Sequence, residues 1–235
     1  MRAVVIAATL AAALAGPAAQ AQSKDQKEAA KAMPVYTPPL RGAPQRRVGG
    51  SSRGIQAVVP RAVLLVPDHV GLTVSESPKL YWYLSMPAQV QVEVVLVDDK
   101  GETRLIEYSV PDAKGPAMHQ VDLASQKVQL RPGVQYRWTI ATLPKPGDRS
   151  RKAVSAGALE RVSMPGALAS RRTRITDKAE LARAYAAEGI WYDAIALYSE
   201  LIEQRPTDRS LREQRATLLE QVGLREVAAF DRRSE

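Results

Sequence analysis

The chain has 235 residues, 45% of them hydrophobic, no cysteine, two histidines and a formal net charge of +8. That leaves room for one or two modest domains with an ordinary core. Zero cysteine excludes disulfides, thiolate nucleophiles, iron–sulfur clusters, cysteine zinc sites and a lipid-modified N-terminal cysteine, and two histidines leave little for imidazole chemistry.

Residues 1–21 read as a secretory signal peptide. Arg2 precedes an apolar run from Ala3 to Ala15, then Gly16-Pro17 and the small-residue site Ala19-Gln20-Ala21. The run is shorter than the ~20 residues that span a bilayer, and Gly16-Pro17 ends the helix where a peptidase needs extended chain. Cleavage is expected after Ala21, giving a periplasmic protein with no transmembrane anchor after cleavage. Residues 22–61 read as a disordered basic arm rich in Pro and Gly. It carries Pro34, Pro38, Pro39, Pro44, Pro60 and Gly49-Gly50-Ser51-Ser52, with five arginines (Arg41, Arg46, Arg47, Arg53, Arg61) and no acid between Tyr36 and Arg61.

Over residues 62–163 the period becomes two. Leu80, Trp82 and Leu84 alternate with Tyr81 and Tyr83; Val90, Val92, Val94 and Leu96 alternate with Gln91 and Glu93. A turn at Asp98–Gly101 leads into a strand over 104–110, and further strands are expected over 118–123, 134–142 and 153–162. In the strand over 134–142, Val134, Tyr136, Trp138 and Ile140 share a face. Short strands joined by Pro/Gly turns predict an immunoglobulin/fibronectin III-like antiparallel β-sandwich, with an unrelated barrel as the alternative. Leu130-Arg131-Pro132-Gly133-Val134-Gln135-Tyr136 fits a tyrosine corner, in which the phenol bonds back to the turn's backbone, and Trp82 is the expected inter-sheet tryptophan.

Residues 164–174 read as a basic linker, ending a stretch from Lys145 to Arg174 that holds eight bases and two acids. Residues 175–235 are helical and repeat at 34 residues. Leu181, Ala182, Tyr185, Gly189, Ala194, Tyr198 and Pro206 fall on tetratricopeptide positions, and Ala182, Gly189 and Ala194 recur as Ala216, Gly223 and Ala228. Lys178, Leu201 and Arg215 depart from that pattern. So short a tetratricopeptide-like tail needs a neighbour to bury its core: the β-domain, a second copy or a partner.

Several segments in order resemble an uncharacterised secreted bacterial family, domain of unknown function 928. They are Pro38-Pro39, the run from Arg47 to Gly54, Leu65-Val66-Pro67 with Gly71-Leu72-Thr73, Pro78 with Trp82-Tyr83, Leu130-Pro132-Gly133-Tyr136-Trp138, and Glu160-Arg161-Val162. The resemblance spans about residues 38–165, leaves the helical tail outside, and implies no chemistry.

No catalytic constellation is visible. His69 and His119 have no partner at ligand spacing; there is no H-E-x-x-H, P-loop or G-x-S-x-G; Asp98-Asp99 reads as a hairpin tip. Neither a catalytic residue, a metal nor a cofactor is expected. By spacing, Tyr185, Trp191 and Tyr198 are helix-packing positions, and they are also the candidates for contact with a partner. Arg46, Arg47, Arg53, Arg171, Arg172 and Arg174 are the candidates for an anionic surface. Tyr81 and Tyr83, opposite Trp82, are core or an aromatic platform, according to whether that face is covered. The reading is a non-enzymatic periplasmic adaptor of the cell envelope, engaging an unidentified envelope protein or a second copy through its C-terminal helices. One alternative is a binder of anionic envelope polymer or lipid headgroups, with no role for nucleic acid; the other is an enzyme with an unrecognised carboxylate site.

Overall fold

Alternating apolar residues set two sheets face to face. The computed structural model describes residues 32–39, 60–87, 89–98, 100–101, 103–144 and 152–234. Its strands are β1 (Ala62–Leu64), β2 (Gly71–Thr73), β3 (Lys79–Leu84), β4 (Gln89–Asp98), β5 (Arg104–Lys114), β6 (Ala117–Asp122), β7 (Gln135–Leu143) and β8 (Ala153–Arg161). One sheet has the order β1-β3-β6 and is antiparallel; the other has the order β2-β8-β7-β4-β5, antiparallel except that β2 runs parallel to β8.

Register decides which residues share a face. Leu96 pairs with Trp138, Val94 with Ile140, and Leu64 with Trp82, and all six are buried. Ser155 and Thr142, which the alternation also turns inward, donate their hydroxyls across to the carbonyls of Ala62 and Pro60, so the core holds them satisfied. The expected bond at the Pro132-Gly133 turn is present: the Arg131 N–H donates to the Tyr136 hydroxyl at 2.9 Å. β5 runs four residues beyond the strand expected to end at Val110. β1 and β2, three residues each, are too short for alternation to single out.

Five helices follow: α1 (Gly166–Arg172), α2 (Lys178–Ala187), α3 (Trp191–Gln204), α4 (Arg209–Gln221) and α5 (Arg225–Arg233). The first corrects the expected linker, because Leu168 is fully buried and holds that turn of helix to the rest. Asp177 caps α2 by accepting the N–H groups of Ala179 and Glu180, and Asp208 does the same for α4 with Ser210 and Leu211. Gly189 and Gly223 end α2 and α4 at φ +74° and +77°, a backbone region open to glycine, and the 34-residue spacing between them is the repeat seen in the sequence.

The helices find their neighbour in the outer face of the three-stranded sheet and in the β2–β8 edge of the five-stranded one. Tyr83 meets Phe230 of α5 at 4.7 Å between ring centroids, and Tyr81 lies under α3. Both tyrosines are buried, so the face opposite Trp82 is covered rather than solvated. Three polar contacts fix the docking: Trp191 Nε1 donates to the Leu65 carbonyl at 2.8 Å, Tyr192 Oη to the Ala158 carbonyl at 3.0 Å, and Thr73 Oγ1 to the Asp193 carboxylate at 2.7 Å. Burying each of these aromatic rings is worth about 2 kcal/mol or more. Part of the expected disordered arm is also packed: residues 33–39 lie along the helices with Pro34 and Tyr36 buried. The expected signal peptide and the rest of the arm lie outside the described residues, and no helix among those described is long and apolar enough to cross a membrane.

Candidate interaction cleft

β6 is an edge strand: it pairs with β3 on one side, and among the described residues no strand pairs with its other side. An edge of that kind presents unpaired backbone N–H and C=O groups. The ends of α3, α4 and α5 stand away from it and leave a cleft of about 550 Å³. Met118 and Gln120 pair in register with Tyr83 and Tyr81, so they share the helix-facing side of the sheet and form one wall. His119 points to the opposite side, where its ring stacks on Trp82 at 5.6 Å and 16°, with Nε2 2.8 Å from the Lys114 carbonyl.

The helical wall is built around a buried ion pair. Arg215 donates from Nε and Nη2 to the two carboxylate oxygens of Asp231 at 2.7 and 2.6 Å, and from Nη1 to Ser199 Oγ at 2.8 Å. Ser199 donates in turn to the Ile195 carbonyl at 2.7 Å. Arg212 donates to the Pro206 carbonyl and lies 3.8 Å from Asp231. These charges are satisfied within the protein. At the floor the Tyr81 hydroxyl is buried beside Ser199, and its pKa is pushed up first by burial, then by Glu203 and Glu200, against the opposing effects of Arg215 and Ser199. An open strand edge with apolar walls from Met118, Ile202 and Phe230 makes a place to hold an extended segment.

The aromatic candidates from the sequence lie elsewhere. Tyr185, Trp191 and Tyr198 are all buried. Trp191 is used on Leu65, and the Tyr198 hydroxyl donates to Gln214 Oε1 at 3.1 Å. They hold the helices to each other and to the sheet, so their rings are not a free partner surface. Arg171, Arg172 and Arg174 are exposed at and just beyond the end of α1, while Arg46, Arg47 and Arg53 lie outside the described residues. No group of three His, Asp or Glu side chains among the described residues could hold a metal ion. Sequence reasoning missed Met118, Gln120 and Asp231; the one available signal was Arg215, a charge where the repeat wants an apolar residue.

The family model described as Domain of Unknown Function (DUF928) matches residues 48–231. The helical tail, expected to fall outside a match ending near residue 165, is inside it. No curated protein matches the chain. Among solved structures, a crystal structure of a multi-domain immunophilin from Arabidopsis thaliana has 8% identity over 77% of this chain and 95% of that one, with a TM-score of 0.18. A likeness that weak carries no argument.

Proposed function

The chain belongs to the DUF928 family, described only as a domain of unknown function, and we propose that it is a non-enzymatic periplasmic adaptor of the cell envelope. Its partner protein docks an extended segment in the cleft beside β6. The observation that carries this reading is the open edge of β6 facing a cleft with apolar walls, whose central Arg215–Asp231 pair is bonded internally. The Arg2-to-Ala21 segment supports export.

The architecture is in keeping with such a role. We read the β-unit as an immunoglobulin-like sandwich, on the strength of its two facing sheets, the parallel β2–β8 pair and the Arg131–Tyr136 corner bond. We read α2–α3 and α4–α5 as two tetratricopeptide-like hairpins, supported by the 34-residue recurrence of small residues and of positive-φ glycines. Both architectures present surfaces to other proteins in many settings.

The exposed Arg171, Arg172 and Arg174 favour a second reading, contact with anionic envelope polymer or lipid. In-cell cross-linking of the exported, tagged chain, followed by recovery at low and high salt, separates the two. The adaptor reading expects one stoichiometric protein that survives high salt and is lost in Met118→Arg. Recovery of polymer alone, lost on raising salt and absent from the Arg171/Arg172/Arg174→Gln variant, contradicts it in favour of the second reading.

A further inference from the structure

Residues 33–39 cross the helical unit in an extended run. Pro34 and Tyr36 are buried while Met33, Val35 and Thr37 are exposed, the alternation of a strand-like peptide with one face in a groove. Its backbone is gripped at two places. Gln221, the last residue of α4, donates from Nε2 to the Pro34 carbonyl at 2.9 Å and accepts the Tyr36 N–H on Oε1 at 2.7 Å. The Thr37 N–H then donates to the Ala186 carbonyl at 3.1 Å. The Tyr36 ring meets Trp191 edge-on at 4.9 Å and stacks on His69 at 5.8 Å, with its hydroxyl 3.3 Å from His69 Nε2. A Cβ on Gly189 would lie 2.8 Å from the Thr37 carbonyl oxygen, so glycine is what lets the peptide come this close.

One amide side chain that reads a C=O and an N–H two residues apart recognises extended backbone of any sequence, and a slot for a single aromatic ring adds selection. Those are the parts of a peptide site, here filled by the chain itself. The contacts join residues up to 187 positions apart.

We propose that Ala186, Gly189, Trp191, Gln221 and His69 form a binding site for an extended Pro-x-Tyr-Thr-Pro segment, and that residues 34–39 of the same chain occupy it as a displaceable latch. This deepens the interaction-protein reading, on which it rests, by adding a second, self-occupied groove. A copy of the segment supplied in trans competes with the latch for the same contacts, so it binds best to a groove whose own latch is broken.

The test uses the full chain and a fluorescein-labelled peptide spanning residues 33–39, read by anisotropy. Tyr36→Ala, which empties the aromatic slot, is expected to bind the peptide at least tenfold more tightly than the wild type. Adding Gln221→Ala, or replacing the tyrosine of the peptide by alanine, is expected to remove that gain. Equal binding by wild type and Tyr36→Ala overturns the proposal. Should Tyr36→Ala fail to fold, hydrogen exchange on the wild type decides: excess peptide must speed exchange at the Tyr36 and Thr37 amides and leave β4 unchanged, and no effect at millimolar peptide overturns it. A concentration-dependent wild-type dimer that Gln221→Ala abolishes counts in favour, with a second copy's segment as the occupant in trans. Failure here, with the Met118-dependent partner still captured at β6, leaves the adaptor reading standing; loss of both removes it.

Discussion

Arg215 stands where the second copy of the helical repeat wants an apolar residue, and the structure shows what replaced the apolar contact. Its guanidinium is locked to Asp231 by two bonds and to Ser199 by a third, with both ion-pair members buried. A pair of this kind adds little net stability over apolar residues, but removing one member strands a buried charge. Asp231→Ala is expected to cost about 3–5 kcal/mol, while the double change Arg215→Leu/Asp231→Leu recovers most of it; urea unfolding of the three chains measures both. Equal losses in the single and double variants would contradict the pairing. Asp193 offers a second check. Burial pushes its carboxyl above the ordinary value of 3.8, against the opposing bonds from Thr73 Oγ1 and the Val74 N–H. A raised folded-state value means the native protein favours the protonated form, so this group contributes most in acid and its contribution falls as pH rises through the folded value. Asp193→Asn keeps an oxygen acceptor and no charge. Relative to the wild type it is expected to be more stable at about pH 7 than at about pH 3, and a difference of the opposite sign would show that the charged form is the one the fold prefers.

At the scale of elements, the repeat supplies an internal control. Gly189 and Gly223 close the two hairpins with nearly the same positive φ, yet a Cβ on Gly223 meets open space and one on Gly189 meets the Thr37 carbonyl. Gly223→Ala is expected to cost about 1–2 kcal/mol from backbone strain alone. Gly189→Ala should cost clearly more, and thermal melts of both variants give the excess that belongs to the 33–39 segment. Much of the fold was legible because period-two alternation is local: the strands around Trp82, Val94, Trp138 and Leu159 fall within a few residues of their expected bounds. What was not legible depends on contacts distant in sequence. α1 rests on one buried leucine in a basic stretch, and the order of residues 33–39 rests on Gln221 and Trp191. The cleft was invisible for the same reason, since the free edge of β6 exists only once the strand order is known, and Met118 and Gln120 carry no mark in the sequence. The aromatic residues of the repeat were visible, but packing rather than partner contact is where their rings went.

For the whole molecule, the decisive feature is that β3 is covered on both sides. Trp82 is buried on one side, where its ring stacks on His119, and Tyr81 and Tyr83 lie on the other, toward the helices. Helices and sheets thus share one buried strand, and Lys79 on β3 pairs with Glu200 on α3 at 2.8 Å at its margin. Unfolding should be one cooperative transition, in which far-ultraviolet helix signal and near-ultraviolet tryptophan signal are lost at the same urea concentration; two separated transitions would show that the helices dock independently. The same arrangement leaves the edge of β6 open beside the ends of α3, α4 and α5, and the adaptor reading stands or falls on whether that edge is where a partner binds. The most direct measurement is in-cell photo-cross-linking of the full chain, with a photoreactive residue in place of Met118 on β6 or, separately, of Val110 on β5, an edge strand of the other sheet. The account predicts one discrete protein adduct from position 118, mapping to an extended segment of the partner, and none from position 110. No adduct from 118, or the same adducts from both, would contradict it.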